Sequence, residues 1–217
     1  MVEPLRFYNE KDELLLELEN RHGGSVKYPQ KGFNCSKCFK HYFTPYACRR
    51  HSEKCVIPLT NGIYEKNNLS IVKIDNQQNK KLVNAICELA YFSKREQGVD
   101  WVLINRYEGL NKNQPVYALF KQEKLIGYVA YWKQKLIDNN KPFYPWIMWD
   151  VYIIKPERRK GYASLICDTS LADLSYTYEN VFYSIPLTKD AVHLLKSKGL
   201  KKINAKHGGG WTQDIPL

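Results

Sequence analysis

The sequence predicts an α+β fold, a central mixed sheet flanked by helices, with a small Cys/His finger at its N-terminal end. Three observations carry this expectation. Cys35, Cys38, His51 and Cys55 recur at the spacing of a closed metal site. Behind them, strand-like and helix-like stretches alternate as far as Asn204. One of the strands runs into Pro156 and a basic, glycine-containing turn that opens a helix.

In chain order, residues 1–30 are an acidic lead. Residues 1–20 hold six acids and two bases, a charge of −4, whereas the whole chain carries +11 from 33 Lys+Arg and 22 Asp+Glu, so the remainder carries +15. Such a surface favours polyanions such as nucleic acid, chromatin or cofactor phosphates. A solvated lysine-rich surface is the competing reading. Hydrophobic residues make up 44% of the chain and aromatic residues 13%, a composition that builds a core. No apolar run approaches the roughly 20 residues of a membrane helix. The acidic N-terminus lacks the basic and apolar blocks of a signal peptide. An intracellular, soluble protein with no membrane contact is therefore expected. Asp12–Glu19 reads as a short helix before the Gly23-Gly24 break.

Residues 31–58 form the finger, Cys35-x2-Cys38-x12-His51-x3-Cys55. Two thiolates on a turn and two ligands one helical turn apart make a tetrahedral zinc site. His51 and Cys55 stand at i and i+4, on one face of a helix. Tyr42 and Cys48 fall where such a module places its small core, so Cys48 packs rather than ligates. Ordinary buried cysteines are the alternative. A closed four-ligand zinc supplies folding energy and no catalysis.

Residues 59–217 form the larger domain. Pro58–Gly62 reads as a turn and Leu69–Asp75 as a strand. Lys80–Arg95 is an amphipathic helix with Leu82, Val83, Ile86, Cys87 and Ala90 on one face. Val116–Phe120 and Leu125–Tyr131 are strands joined by a turn at Lys121–Lys124. Ile147–Ile154 is a strand, Ala163–Leu174 a helix and Val181–Ile185 a strand. Asp190–Ser197 is a helix capped by Gly199, and Leu200–Asn204 a final strand.

The basic turn suits a pyrophosphate. Amides at a helix start point at an anion and the helix dipole adds to them. Gly161 permits close approach or positive φ, and Ala163 is small for the same reason. Arg158, Arg159 and Lys160 supply positive charge around phosphates. A solvated basic loop is the alternative.

Arg158-x-x-Gly161-x-Ala163 after a strand and proline resembles the acetyl-CoA signature of GNAT-fold acetyltransferases. The resemblance implies that fold, with the pantetheine arm along Asp150, Val151, Tyr152, Ile153 and Ile154. It places Tyr162, Ser164 and Thr188 near the cofactor. Phe39-Lys40, Arg50-His51, Lys54-Cys55, the block Asn61–Asp75, Ile86-Cys87-Glu88-Leu89-Ala90 and Arg159-Lys160-Gly161-Tyr162 resemble MYST-family histone acetyltransferases. Ser184-Ile185-Pro186, Arg158-Arg159-Lys160 and Ala163-Ser164 resemble cohesin acetyltransferases, which also join a zinc finger to a GNAT fold. Their finger ends in His, where this one ends in Cys55, and they lack the block Asn61–Asp75, so the MYST resemblance ranks first and the cohesin one second.

These resemblances imply a nuclear lysine acetyltransferase using structural zinc and acetyl-CoA. Its substrate would be a histone or another chromatin protein. Partner subunits would target it, and nucleic acid would contact its basic surface. Asp150 is the candidate general base, and Ser184 orients substrate or binds thioester. Among the features that fall away from the MYST pattern, two bear on catalysis. Ser184 stands where a catalytic glutamate is usual, and Asp150 or Val151 where a cysteine is usual. A catalytically inactive zinc-finger binding module is thus the alternative function.

Overall fold

The computed structural model describes residues 5–7, 17–19, 25–27, 32–59, 62–74, 80–97, 114–133, 135–138, 141–177, 181–183 and 189–202. The chain divides into two compact units. One comprises Met1–Leu110 with Ala118–Gly127, the other Asn111–Tyr117 with Tyr128–Leu217.

The first unit begins with β1 (Leu5–Phe7), β2 (Glu17–Glu19), β3 (Ser25–Lys27), β4 (Gly32–Asn34) and β5 (His41–Tyr42). β1, β4 and β5 form one small sheet and β2 pairs with β3. The helix expected over Asp12–Glu19 is thus corrected at its end, where Glu17–Glu19 pairs antiparallel with Ser25–Lys27. Glu-Leu-Glu alternates with the period of a strand, and residues 12–16 lie outside the described ones. Helix α1 (Pro45–Lys54) starts where Thr44 accepts the Ala47 N–H at 3.2 Å and Pro45 takes the first helical position.

Next, β6 (Gly62–Lys66) and β7 (Leu69–Ile74) form a hairpin. Its two-residue loop is Asn67-Asn68, both with positive φ of 52° and 62°. That is the turn whose twist matches paired strands, and Asn tolerates it. The sequence pattern marks only the second of these strands, because β6 is largely polar and exposed. Helix α2 (Lys80–Gln97) buries Leu82, Val83, Ile86, Leu89 and Ala90.

Strands β8 (Val116–Lys121) and β9 (Lys124–Lys133) contribute residues to both units. Residues 116–120 and 125–131 are buried without alternation, as expected of central strands covered on both faces.

In the second unit, β10 (Leu136–Asp138) and β11 (Lys141–Phe143) make a short hairpin ahead of β12 (Trp146–Ile153). A 3-10 turn at Lys155–Glu157 leads to α3 (Tyr162–Asp173). Then follow β13 (Val181–Tyr183), α4 (Lys189–Ser197) and β14 (Lys201–Lys202). β13 runs parallel to both β12 and β14. The large sheet has the order β14-β13-β12-β9-β8-β7-β6. Its mixed pairing, with helices between strands, meets the expected α+β class.

Two hydroxyl bonds fasten α3. Tyr117 donates to Asp173 Oδ2 at 2.7 Å, and the Tyr131 and Ser170 hydroxyls meet at 2.8 Å. Burial and the Asp173 carboxylate push the Tyr117 phenol well above its ordinary range. Helix α4 ends as expected on Gly199, at φ 70°, with Leu200 N–H bonding Leu195 O and Gly199 N–H bonding Lys196 O. The end of α3 has the same bond pattern, but Ser175 occupies the left-handed position at φ 56°.

Candidate metal centre and candidate active site

The candidate metal centre lies wholly in the first unit. Cys35 follows β4, and the turn Ser36–Cys38 reverses the chain through Phe39 at φ 57°. Phe39 N–H bonds Cys35 O at 2.8 Å and Cys35 N–H bonds Lys40 O at 3.1 Å, so the knuckle holds both thiols on one side. His51 stands on the last turn of α1 and Cys55 is its C-cap. The ligand atoms of Cys35, Cys38, His51 and Cys55 all lie within 4.8 Å of one another. A zinc tetrahedron has ligand–ligand edges of about 3.5–3.8 Å, given Zn–S near 2.3 Å and Zn–N near 2.0 Å. The donors therefore converge as the sequence spacing required.

The chemistry of the donor set fits too. The Cys38 thiol bonded to Cys35 pulls the Cys35 pKa down to about 4, helped by Ser52 and the Cys38 and Lys37 amides. The same contact pushes Cys38 well up. Contact between the two thiols favours a thiolate here, the form that ligates a metal. Lys37 N–H lies 3.4 Å from Cys35 Sγ and stabilises that negative sulfur. Cys48 is fully buried and outside the cluster, where burial raises its thiol. It packs, as expected. Four protein donors leave no open position, so zinc here would brace the fold. What it braces is visible. Phe39 is buried edge-on against Phe92 of α2 at 5.3 Å, and Lys37 pairs with Glu123 at 2.6 Å.

The second site lies on β12 and the turn after it. The described register of β12 with β13 runs from Trp146↔Val181 to Met148↔Tyr183, while β12 continues to Ile153. Asp150, Val151, Tyr152, Ile153 and Ile154 thus extend past that register toward the basic turn. Asp150 is half-buried and accepts a 2.6 Å hydrogen bond from the Tyr128 hydroxyl. Tyr128 is fully buried on β9, and its ring lies 6.2 Å from that of Tyr152. The Tyr128–Asp150 pair was not anticipated from sequence. The signal was there, since a tyrosine on an all-apolar strand needs a partner for its hydroxyl.

Gly161 caps α3 at φ 80°, ψ 0°. A Cβ there would meet no heavy atom within 4 Å among the described residues. Among the described residues, the place a side chain at 161 would take is open. The first intrahelical bond runs from Leu165 N–H to Gly161 O at 3.0 Å, so the Ala163 and Ser164 amides precede it. Tyr162, Ala163 and Ser164 are half-buried on this first turn.

The three basic side chains do different things. Arg158 reaches back, donating from Nε to Ile153 O at 2.8 Å with its guanidinium 5.3 Å from the Tyr152 ring centre. It locks the strand end to the turn. Arg159, at φ 63°, pairs with Asp190 of α4 at 2.6 Å, and Lys160 pairs with Glu157 at 2.9 Å. These last pairs are solvent-facing and each is worth under about 1 kcal/mol, so an arriving phosphate can recruit both cations. Ser184 and Thr188 lie outside the described residues.

No protein-family model matches the sequence, and no match was found among curated proteins. Solved structures do resemble it. The xEco2 acetyltransferase domain bound to a CoA conjugate shares 17% identity over 67% of this chain and 98% of its own, with a TM-score of 0.54. The structure of the same domain titled without the conjugate gives 17% identity, 66% and 95% coverage, and a TM-score of 0.51. The fold is that of GNAT acetyltransferases, as the sequence predicted.

Proposed function

We propose that this chain is a lysine acetyltransferase that moves an acetyl group from acetyl-CoA to a side-chain amine of a protein. The carrying observation is the continuous strand–turn–helix Asp150–Ser164, with Gly161 at φ 80° and the place of a side chain there open among the described residues. In this reading the Ala163 and Ser164 amides and the α3 dipole receive the pyrophosphate, joined by Arg159 and Lys160. Arg158 keeps the turn in place. Val151–Ile154 line the pantetheine arm and Tyr162 packs beside it. Thr188 is assigned to the pantetheine by resemblance alone.

Acetyl-CoA supplies the activated thioester. Asp150 takes the proton of the substrate ammonium, directly or through a water, and Tyr128 holds its carboxylate in position. The amine nitrogen then bonds the acetyl carbon as the carbon–sulfur bond breaks, and the nitrogen's surplus proton passes to the departing sulfur, so that CoA leaves as the thiol. Ser184 is proposed to orient substrate. Cys35, Cys38, His51 and Cys55 would hold a structural zinc that takes no part in transfer.

Of the two families the sequence resembles, the cohesin type has the support of the xEco2 domain, a cohesin acetyltransferase domain and one of the solved structures that share this fold, at a TM-score of 0.54. A chromatin protein as substrate, targeting subunits and a nuclear location belong to this proposal. Asp150→Asn tests it. The variant should bind acetyl-CoA as wild type does and lose CoA release with any substrate the wild type acetylates. Undiminished turnover would remove Asp150 as base. A wild type that binds acetyl-CoA yet acetylates nothing would favour the inactive binding module.

A further inference from the structure

The finger carries more exposed aromatic surface than its own folding uses. Phe43 is 76% exposed and Tyr46 67% exposed, in a module whose core is made by buried Phe39, Cys35, Cys48 and Cys55. Phe43 directly precedes the Thr44 N-cap, the position from which an apolar side chain ordinarily staples onto the fourth residue of a helix. That residue here is Cys48, fully buried while Phe43 faces solvent. Phe43 instead meets the His41 ring edge-on at 5.7 Å.

Around these rings positive charge outweighs negative, four bases to one acid. Lys40, Arg49, Arg50 and Lys54 are exposed on the finger, with Glu53 as the acidic residue among them. The Arg50 guanidinium lies 5.8 Å from the Tyr46 ring centre, and Lys40 Nζ 5.9 Å from that of Tyr42. On α1, Tyr46, Arg49, Arg50 and Glu53 stand at i, i+3, i+4 and i+7, one helical face.

We propose that this face of the finger binds single-stranded nucleic acid. Aromatic rings beside cations are the two parts such binding uses, rings for stacking on bases and cations for the phosphates. Charge complementarity selects a polyanion. The exposed rings select one whose base faces are open, which a duplex does not offer. The residues of this face are none of those assigned to acetyl transfer, so the proposal holds whether or not the chain transfers acetyl groups.

The test is fluorescence anisotropy of the full, zinc-loaded chain with labelled oligo-dT and oligo-U, and with a duplex of equal length. The expected order is single strand tighter than duplex. Phe43→Ala with Tyr46→Ala should weaken single-strand binding about tenfold or more. Arg49→Gln with Arg50→Gln should lower the slope of log affinity against log salt by about 1.4. Zinc content and acetyl-CoA binding of both variants, measured in parallel, should match wild type. Duplex bound as tightly as single strand overturns the proposal. So does unchanged affinity in the ring variant, which would assign binding to the +15 body instead. Binding of poly-glutamate without binding of either oligonucleotide also overturns it, in favour of an acidic protein partner.

Discussion

Gly161 and Gly199 form a matched pair that separates backbone strain from cofactor contact. Both have positive φ, 80° and 70°, and at neither does an added Cβ meet a described heavy atom within 4 Å. Alanine at either position pays about 1–2 kcal/mol for the left-handed conformation. About 0.4–1 kcal/mol of that is offset by the stiffer unfolded chain. Each variant should therefore lose about 1 kcal/mol, a fall of roughly 2–4 °C in Tm for a domain of this size. Their binding should diverge. The Gly161 Cβ projects where the pyrophosphate is proposed to lie, and loss of even one amide-to-phosphate bond is worth about 1.5–3 kcal/mol. Gly161→Ala should thus bind acetyl-CoA about 10–100-fold more weakly, while Gly199→Ala, at the cap of α4, binds as wild type. Thermal unfolding and equilibrium titration on the same preparations read both numbers. Equal Tm losses with equal, wild-type affinities would refute the assignment of the turn.

Three further outcomes follow from the geometry. Tyr128→Phe removes the 2.6 Å bond to Asp150, so kcat should fall about tenfold, the worth of a hydrogen bond to a charged group, with acetyl-CoA affinity unchanged; an unaltered kcat would show that Tyr128 does not position Asp150. Chelating zinc, or Cys38→Ser, should unfold the finger and expose Phe39 and Phe92, read as lost zinc, dye binding to apolar surface and a lowered Tm; a finger that keeps its protection from hydrogen exchange without metal would contradict the structural role. Ser175→Gly, at φ 56° in the end motif of α3, should stabilise the protein by about 1 kcal/mol in denaturant unfolding.

Much of this was legible in the residues, for identifiable reasons. Helix α2 shows its apolar face at period 3.6, and Gly199 and Pro156 mark boundaries that few other residues mark. The Cys/His cluster declared itself because metal chemistry tolerates few spacings. What stayed hidden had weaker local signals. β6 is largely polar and exposed, and its hairpin turns on Asn67-Asn68 rather than a glycine. The β10–β11 hairpin is two three-residue strands whose Leu136 and Phe143 pack with Ile147 and Trp149, a tertiary contact no window reveals. The side-chain pairings at the site, Tyr128 with Asp150, Arg158 with Ile153 and Arg159 with Asp190, join residues up to 31 positions apart. Sequence supplied the charges of the turn, but only the fold shows that Arg158 is spent bracing β12.

The most direct measurement is calorimetric titration of acetyl-CoA into the zinc-loaded wild-type chain. Saturable one-to-one binding, competed by CoA, is the predicted result. Absence of binding to a chain shown to be folded and to hold zinc would contradict the central claim and leave the finger as the functional part of the molecule.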